Sequence, residues 1–366
     1  MSSYEKFREG SDPVSLERAD LEGKNVLVRV DFNCPSKEGN LTDNYRIRES
    51  LGTLNLLRLK KANKITIITH WGRPDGVFDA SSQVEPLRKE LEDLIGESVV
   101  CPEYSVDYNE YSKKIQNEHS LIVMWDNIRF WPEEEKNDEN FSKALALGQD
   151  IFINEAFSAS HRSHASVTGV ARLLPSYAGL RLGEEIREIY RLMVTEVEPS
   201  LAIIGGAKIE TKIPLLRSLA KHYSKIILGG KVAIEWENYK EKLTFEDTEW
   251  TEKLLLPEGF QGEERLDIDE QSIVRFVEMI NNAKKIVWNG PVGKFEEPDY
   301  ARGSEEIAKA ISSNKEALRL VGGGDTILVL DSTHLNGQVG FVSTGGGAML
   351  DYIADGNLPG IEGLDF

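Results

Sequence analysis

Two cysteines in 366 residues, Cys34 and Cys101, are too few for a disulfide framework. The chain is therefore expected in a reducing compartment, the cytoplasm. Its longest apolar runs are about the length of a strand, which excludes a membrane-spanning helix. The opening stretch MSSYEKFREGSDP holds no apolar signal region. Basic charge is also scarce. With 43 Lys and Arg against 61 Asp and Glu, the net charge is −18, the opposite of a nucleic-acid binder's basic footprint. No short period is visible, so the chain is not a solenoid. Two phosphate-binding signatures are missing as well: there is no G-x-x-x-x-G-K-[ST], and no G-x-G-x-x-G follows the first strand. A Walker-type loop is excluded, and a nicotinamide dehydrogenase is disfavoured.

What is present is a series of short β-branched runs, separated by stretches long enough for a helix. In the first half they are NVLVRVDF (25–32), KITIITH (64–70), LIVMWD (121–126) and IFINEAF (151–157). In the second half they are LAIIGG (201–206), KIILGG (225–230), KIVWNG (285–290), LRLVGGGD (318–325) and GFVSTGGG (340–347). Near-continuous apolar strands alternating with helices predict parallel sheets covered on both faces. The length suits two domains. Between the two sets, Leu182, Ile186, Ile189, Tyr190 and Met193 follow helical spacing, with Gly and Pro nearly absent from the middle of the segment. The expected fold is therefore α/β: two Rossmann-like three-layer domains with parallel sheets, 1–180 and 197–351, joined by a hinge helix over 181–196. The tail 352–366 is expected to return to the first domain. The acidic run Glu133–Lys136 reads as a solvated helix start, where carboxylates suit the helix dipole.

Open parallel sheets bind ligands beyond the carboxyl ends of their strands. In the first half those ends carry Asp31 and Asn33, then His70 and Arg73, then Asp126, Asn127 and Arg129, then Asn154 with His161, Arg162 and His164. The loop after the first strand adds Arg46. Arginine forks suit carboxylate and phosphate, so this domain is expected to bind a small, multiply anionic molecule. In the second half the strand ends carry glycine: Gly205 and Gly206 before Ala207 and Lys208, Gly229 and Gly230, Asn289 and Gly290, Gly322–Gly324 before Asp325 and Thr326, and Gly345–Gly347. Glycine lets backbone N–H groups approach phosphate, and a following helix start favours negative charge. With Lys208, Lys212 and Asp325 this predicts a nucleotide site, Asp325 suiting Mg²⁺.

The ordered set VRVDFNCP, TDNYRIR, THWGRP, NIRFWPEEEKND, NEAFSASHRSHAS, LPSYAGLRLGEE, IIGGAKIETKI, VWNGPVGKFE, VGGGDT, STGGGAML and LPGI resembles the phosphoglycerate kinase family along nearly the whole chain. NIRF, SHRS and LPSYAG are closer to archaeal-like members. The resemblance implies reversible phosphoryl transfer from 1,3-bisphosphoglycerate to ADP, giving 3-phosphoglycerate and ATP, with Mg²⁺ and domain closure. It implies that Asp31, Asn33, Arg46, His70, Arg73, Arg129 and Arg162 hold the glycerate substrate. Gly206, Lys208, Lys212, Gly230, Asn289, Glu296 (at the ribose), Gly323, Gly324, Asp325 and Thr326 would meet the nucleotide, with Asp325 serving the metal. Arg46, Lys212 and the backbone of Gly324 and Gly346 would act on the transferring group. No nucleic-acid or membrane partner is implied; the chain is expected to be a monomer, with a dimer as the alternative. Trp71, Glu210-Thr211, Lys231 and Lys294 depart from the family pattern without removing a catalytic group, and the two lysines leave the base preference open. Cys34 reads as packing. A non-catalytic sensor on the same fold would be marked by loss of a transfer residue, but Arg46, Lys212 and Asp325 are all present.

Overall fold

The computed structural model describes residues 15–243 and 248–364. Two compact units divide the chain. One comprises Met1–Arg187 with Asn357–Phe366, the other Glu188–Gly356.

In the first unit, β1 (Asn25–Arg29), β2 (Lys64–Ile68), β3 (Val99–Val100), β4 (Ile122–Met124), β5 (Ile151–Asn154) and β6 (Ser176–Ala178) form a six-stranded sheet in the order β3-β4-β2-β1-β5-β6. Every pairing is parallel. The apolar run of β1 explains its central place. Val26 and Val28 enter one core layer with Ile65 and Ile67, while Leu27 enters the opposite layer with Ile68, Val123 and Phe152. All are fully buried, and each such side chain contributes about 1.5–3 kcal/mol by leaving water.

The second unit holds β7 (Ser200–Ile204), β8 (Lys225–Leu228), β9 (Leu254–Leu255), β10 (Lys285–Asn289), β11 (Leu318–Gly322) and β12 (Phe341–Ser343), in the order β9-β8-β7-β10-β11-β12. These pairings are parallel too. The expected α/β class with two parallel sheets is what the structure has. The strands end earlier than the apolar runs, because the last residues of each run turn into the loops at the strands' carboxyl ends. The short strands β3, β6 and β9 escaped the sequence reading; two or three residues carry too little periodicity to register.

The helix Leu180–Val194 contains the boundary between the units, after Arg187. Leu182, Ile186, Ile189 and Met193 are buried on it, whereas Tyr190 is only partly so. Asn357–Leu364 belongs to the first unit: the Asn154 amide donates to the Gly360 carbonyl (2.9 Å) and Gly360 N–H to the Ser160 carbonyl (2.8 Å). Residues 352–355 differ from the expected tail. They complete the helix Gly347–Asp355 of the second unit, where the Ser218 hydroxyl donates to the Ile353 carbonyl.

The run Glu133–Lys136 also departs from expectation. It lies in turns, and the next helix, Glu139–Ala146, starts at an Asp138 cap. Glu134 is 1% exposed and accepts from the backbone N–H and hydroxyl of Ser166.

Candidate active site

In the first unit the site is built on Arg29, the last residue of β1. It is 1% exposed. Its Nε donates to Ser166 Oγ (3.0 Å), Nη1 to the Val30 carbonyl, and Nη2 approaches His70 Nδ1 (3.0 Å). A guanidinium only donates, so His70 Nδ1 accepts and its proton sits on Nε2. Burial and the nearby Arg29, Arg129, Arg162 and Arg46 hold the His70 pKa well below the ordinary value, which keeps the ring neutral. Burial likewise lowers Arg29 to about 10, with Arg129 and Arg162 adding repulsion and Glu134 opposing it. Arg129 is shifted down by burial first and then by Arg162, with Arg73 a smaller contributor. These positive groups repel one another across a partly desolvated surface, so an anion bound among them relieves the strain.

The loops fix the rest. Asp31 pairs with Arg46 and accepts from Ser158 and from Asn33 N–H (3.1 Å). The Asn33 side chain accepts from Gly72 N–H (2.9 Å), and Arg129 Nη1 donates to the Gly72 carbonyl (2.9 Å). Asn127 accepts from Trp71 N–H (3.3 Å) and donates to the Trp71 carbonyl (2.6 Å). Trp71 is buried, its indole donating to the Cys34 carbonyl (2.9 Å). Burial pushes the Cys34 thiol up to about 12, as suits packing. The loop His70–Pro74 is thus clamped from Asn33, Asn127 and Arg129, and Arg73 is exposed on it. Arg162, partly buried, donates to His161 Nε2 (3.2 Å). Sequence reasoning missed Arg29, although a charged residue inside the apolar run VLVRV was a usable signal. It also missed Glu134, which had none.

In the second unit, three loops close on one another backbone to backbone. Gly205 N–H donates to the Asn289 carbonyl (2.8 Å), Gly206 N–H to that of Pro291 (3.0 Å), and Gly230 N–H to that of Val292 (2.8 Å). A Cβ on Gly205 would stand 2.1 Å from the Pro291 carbonyl oxygen, so only glycine permits this approach. The helices starting at Ile209, Gly230, Gly324 and Gly347 have no side-chain cap. Their first N–H groups are the anion-seeking kind, although Ile209 N–H already donates to Glu235 (2.8 Å), an unforeseen partner. A Cβ on Gly206, Gly324 or Gly347 would meet nothing within 4 Å, and Gly346 lies close to Gly323. Lys208 sits at the helix start in the left-handed region (φ 64), exposed. Burial lowers the Lys212 pKa, against Asp351.

Asp325 is exposed in the first turn of the helix Gly324–Ser332, and Glu296 is exposed on the loop after β10. Among the described residues no group of three or more His, Cys, Asp or Glu could hold a metal. One open carboxylate beside uncapped N–H groups fits an ion delivered by a phosphate chain, not a resident metal. Asn289 and Thr326, expected at the nucleotide, are held by bonds of their own. Asn289 donates to the Gly322 carbonyl (2.8 Å), and Thr326, fully buried, accepts from Gly290 N–H (2.8 Å). Both side chains make these bonds within the protein, bracing the loops.

The sequence profile described as phosphoglycerate kinase matches residues 16–255 and 245–356. A phosphoglycerate kinase of Pelotomaculum thermopropionicum is 35% identical, over 94% of this chain and 97% of its own. The phosphoglycerate kinase structure of Coxiella burnetii superposes with a TM-score of 0.79 at 27% identity, covering 95% of this chain and 97% of that one. That of Pyrococcus horikoshii gives 0.80 at 26%, covering 95% and 98%. With the profile spanning both units and the relative of Pelotomaculum thermopropionicum 35% identical over 94% of the chain, the chain belongs to the phosphoglycerate kinase family.

Proposed function

We propose that the chain moves a phosphoryl group reversibly between 1,3-bisphosphoglycerate and ADP by aligning and neutralising charge, without a general base. The observation that carries this reading is the division of labour. A cluster of arginines around a neutral His70 occupies one unit, and the uncapped helices that start at Gly230, Gly324 and Gly347 occupy the other. A carboxylate oxygen is already a competent nucleophile, so the protein's task is orientation and electrostatic stabilisation.

In this reading Arg73, Arg129, Arg162, His70 Nε2–H and Asn33 hold the glycerate's anionic groups. Asp31 orients Arg46 through their ion pair. Gly206, Gly230, Gly323 and Lys208 cradle the nucleotide phosphates, and Glu296 meets the ribose. Mg²⁺ bound by Asp325 and the phosphates would neutralise charge on the nucleotide. Arg46, Lys212 and the N–H groups of Gly324 and Gly346 stabilise the transferring group. The two substrates rest on different units, so transfer needs domain closure, which also keeps water from the acyl phosphate.

A coupled assay of ATP formation from 1,3-bisphosphoglycerate and ADP tests the reading directly. Arg46→Ala should lower kcat by roughly 10²–10³, as for loss of one pre-organised donor. Arg73→Ala should instead act mainly on KM for the glycerate substrate. A wild-type chain that binds both ligands without forming ATP would identify a sensor. An Arg46→Ala effect confined to KM would reverse the assigned roles.

A further inference from the structure

The loop that carries Glu296 is closed at its neck, where its two ends meet. Val292 N–H donates to Ser304 Oγ (3.0 Å), and Ser304 is fully buried. Inside that neck lies the carboxylate of Asp267, from the short antiparallel ribbon Phe260–Gln261 and Asp267–Ile268. Asp267 is 1% exposed; it accepts from Gly303 N–H (2.8 Å) and from Ile268 N–H (2.8 Å). It touches both limbs of the loop so closely that a Cβ on Gly293 would stand 2.2 Å from Oδ1, and one on Gly303 2.4 Å. The neighbouring Leu266 carbonyl accepts from Lys294 N–H (2.8 Å), two residues before Glu296. Phe295 then packs on the apolar core while Glu296 faces solvent. A buried carboxylate is costly unless its acceptors are satisfied. Here one donor is its own neighbour Ile268, and the other is the backbone of Gly303, on the far limb of the loop it wedges.

We propose that Asp267 is a positioning residue of the nucleotide site, fixing the 292–304 loop so that the Glu296 carboxylate stands where the ribose hydroxyls of a nucleoside diphosphate or triphosphate bind. This rests on the reading of Glu296 as the ribose contact of a phosphotransferase. Asp267 does not touch the nucleotide. Its effect passes through the backbone of Gly293, Lys294 and Gly303, and so falls on nucleotide affinity and leaves the chemistry of transfer alone.

The test is steady-state kinetics of the full chain. Asp267→Asn should raise KM for Mg-ADP about tenfold, the effect of losing a charge-assisted hydrogen bond and stranding a donor. The KM for 1,3-bisphosphoglycerate and kcat should stay within about twofold. Glu296→Ala should raise the same KM in the wild-type background and add little in the Asp267→Asn background, because coupled residues are non-additive. Ser304→Ala opens the neck from the other side and should give the same nucleotide-selective rise; it serves as the second variant should Asp267→Asn not fold. Unchanged KM for Mg-ADP in an active enzyme, or full additivity with Glu296→Ala, overturns the inference alone. A wild-type chain that forms no ATP overturns the phosphotransferase reading and this inference with it.

Discussion

At the scale of single residues, the proposed anion site depends on one guanidinium that no ligand need touch. Arg29 holds Ser166, the Val30 carbonyl and His70 at once. A lysine keeps the charge but cannot reproduce a three-way planar fork. Arg29→Lys should therefore raise KM for 3-phosphoglycerate by roughly 10- to 100-fold, the range for hydrogen bonds to charged groups. The melting temperature should fall as well, since Arg29 is fully buried. A KM unchanged in steady-state assays would show that His70 orients itself without Arg29. Most of the proposed site was legible residue by residue, because its arginines and glycines interrupt apolar runs where strands end. Glu134 was not legible. It sits in an acidic run that looks solvated, and only the fold turns one carboxylate of that run inward to meet Ser166 and offset the charge of Arg29.

At the scale of elements, the helix Leu180–Val194 begins on a buried acid. Glu155 accepts from the Thr53 hydroxyl (2.6 Å) and from the N–H groups of Arg181 (3.2 Å) and Leu182 (3.3 Å), the orphan donors of the first turn. Burial pushes its carboxyl up to about 8, with Thr53, those N–H groups and the Arg181 charge opposing. The ordinary value lies near 4.5. Between those two pH values the folded chain holds a proton that the unfolded chain has released, so stability falls as pH rises through this window. The loss is on the order of a few kcal/mol. Thermal unfolding of wild type should show a lower melting temperature at pH 8.5 than at pH 5, and Glu155→Gln should show a smaller drop. An equal drop in the variant would place the pH dependence elsewhere. The helix itself was legible from its apolar spacing, and so were the long central strands. Their neighbours were not: β1 lies between β2 and β5, and β7 between β8 and β10, and periodicity along one strand carries no information about which strand pairs with it.

At the scale of the whole molecule, the proposed substrate residues all precede Arg187 and the proposed nucleotide residues all follow Glu188, on either side of the division between the two units. A ligand shifts an open–closed equilibrium only through contacts that differ between the two states. Small-angle scattering should therefore show a smaller radius of gyration with 3-phosphoglycerate plus Mg-nucleotide than with either alone. Full compaction with one ligand, or none with both, would separate domain closure from catalysis. The first unit is discontinuous in sequence, and Asn357–Leu364 supplies the Gly360 groups that pair with Asn154 and Ser160. A ribosome delivers those residues only after the entire second unit. Domains fold as units during synthesis, so the nascent chain can complete its second unit first. The first unit, although its strands emerge earliest, must wait until the chain returns to it, the Asn154 amide holding Ser160 but still short of its Gly360 partner.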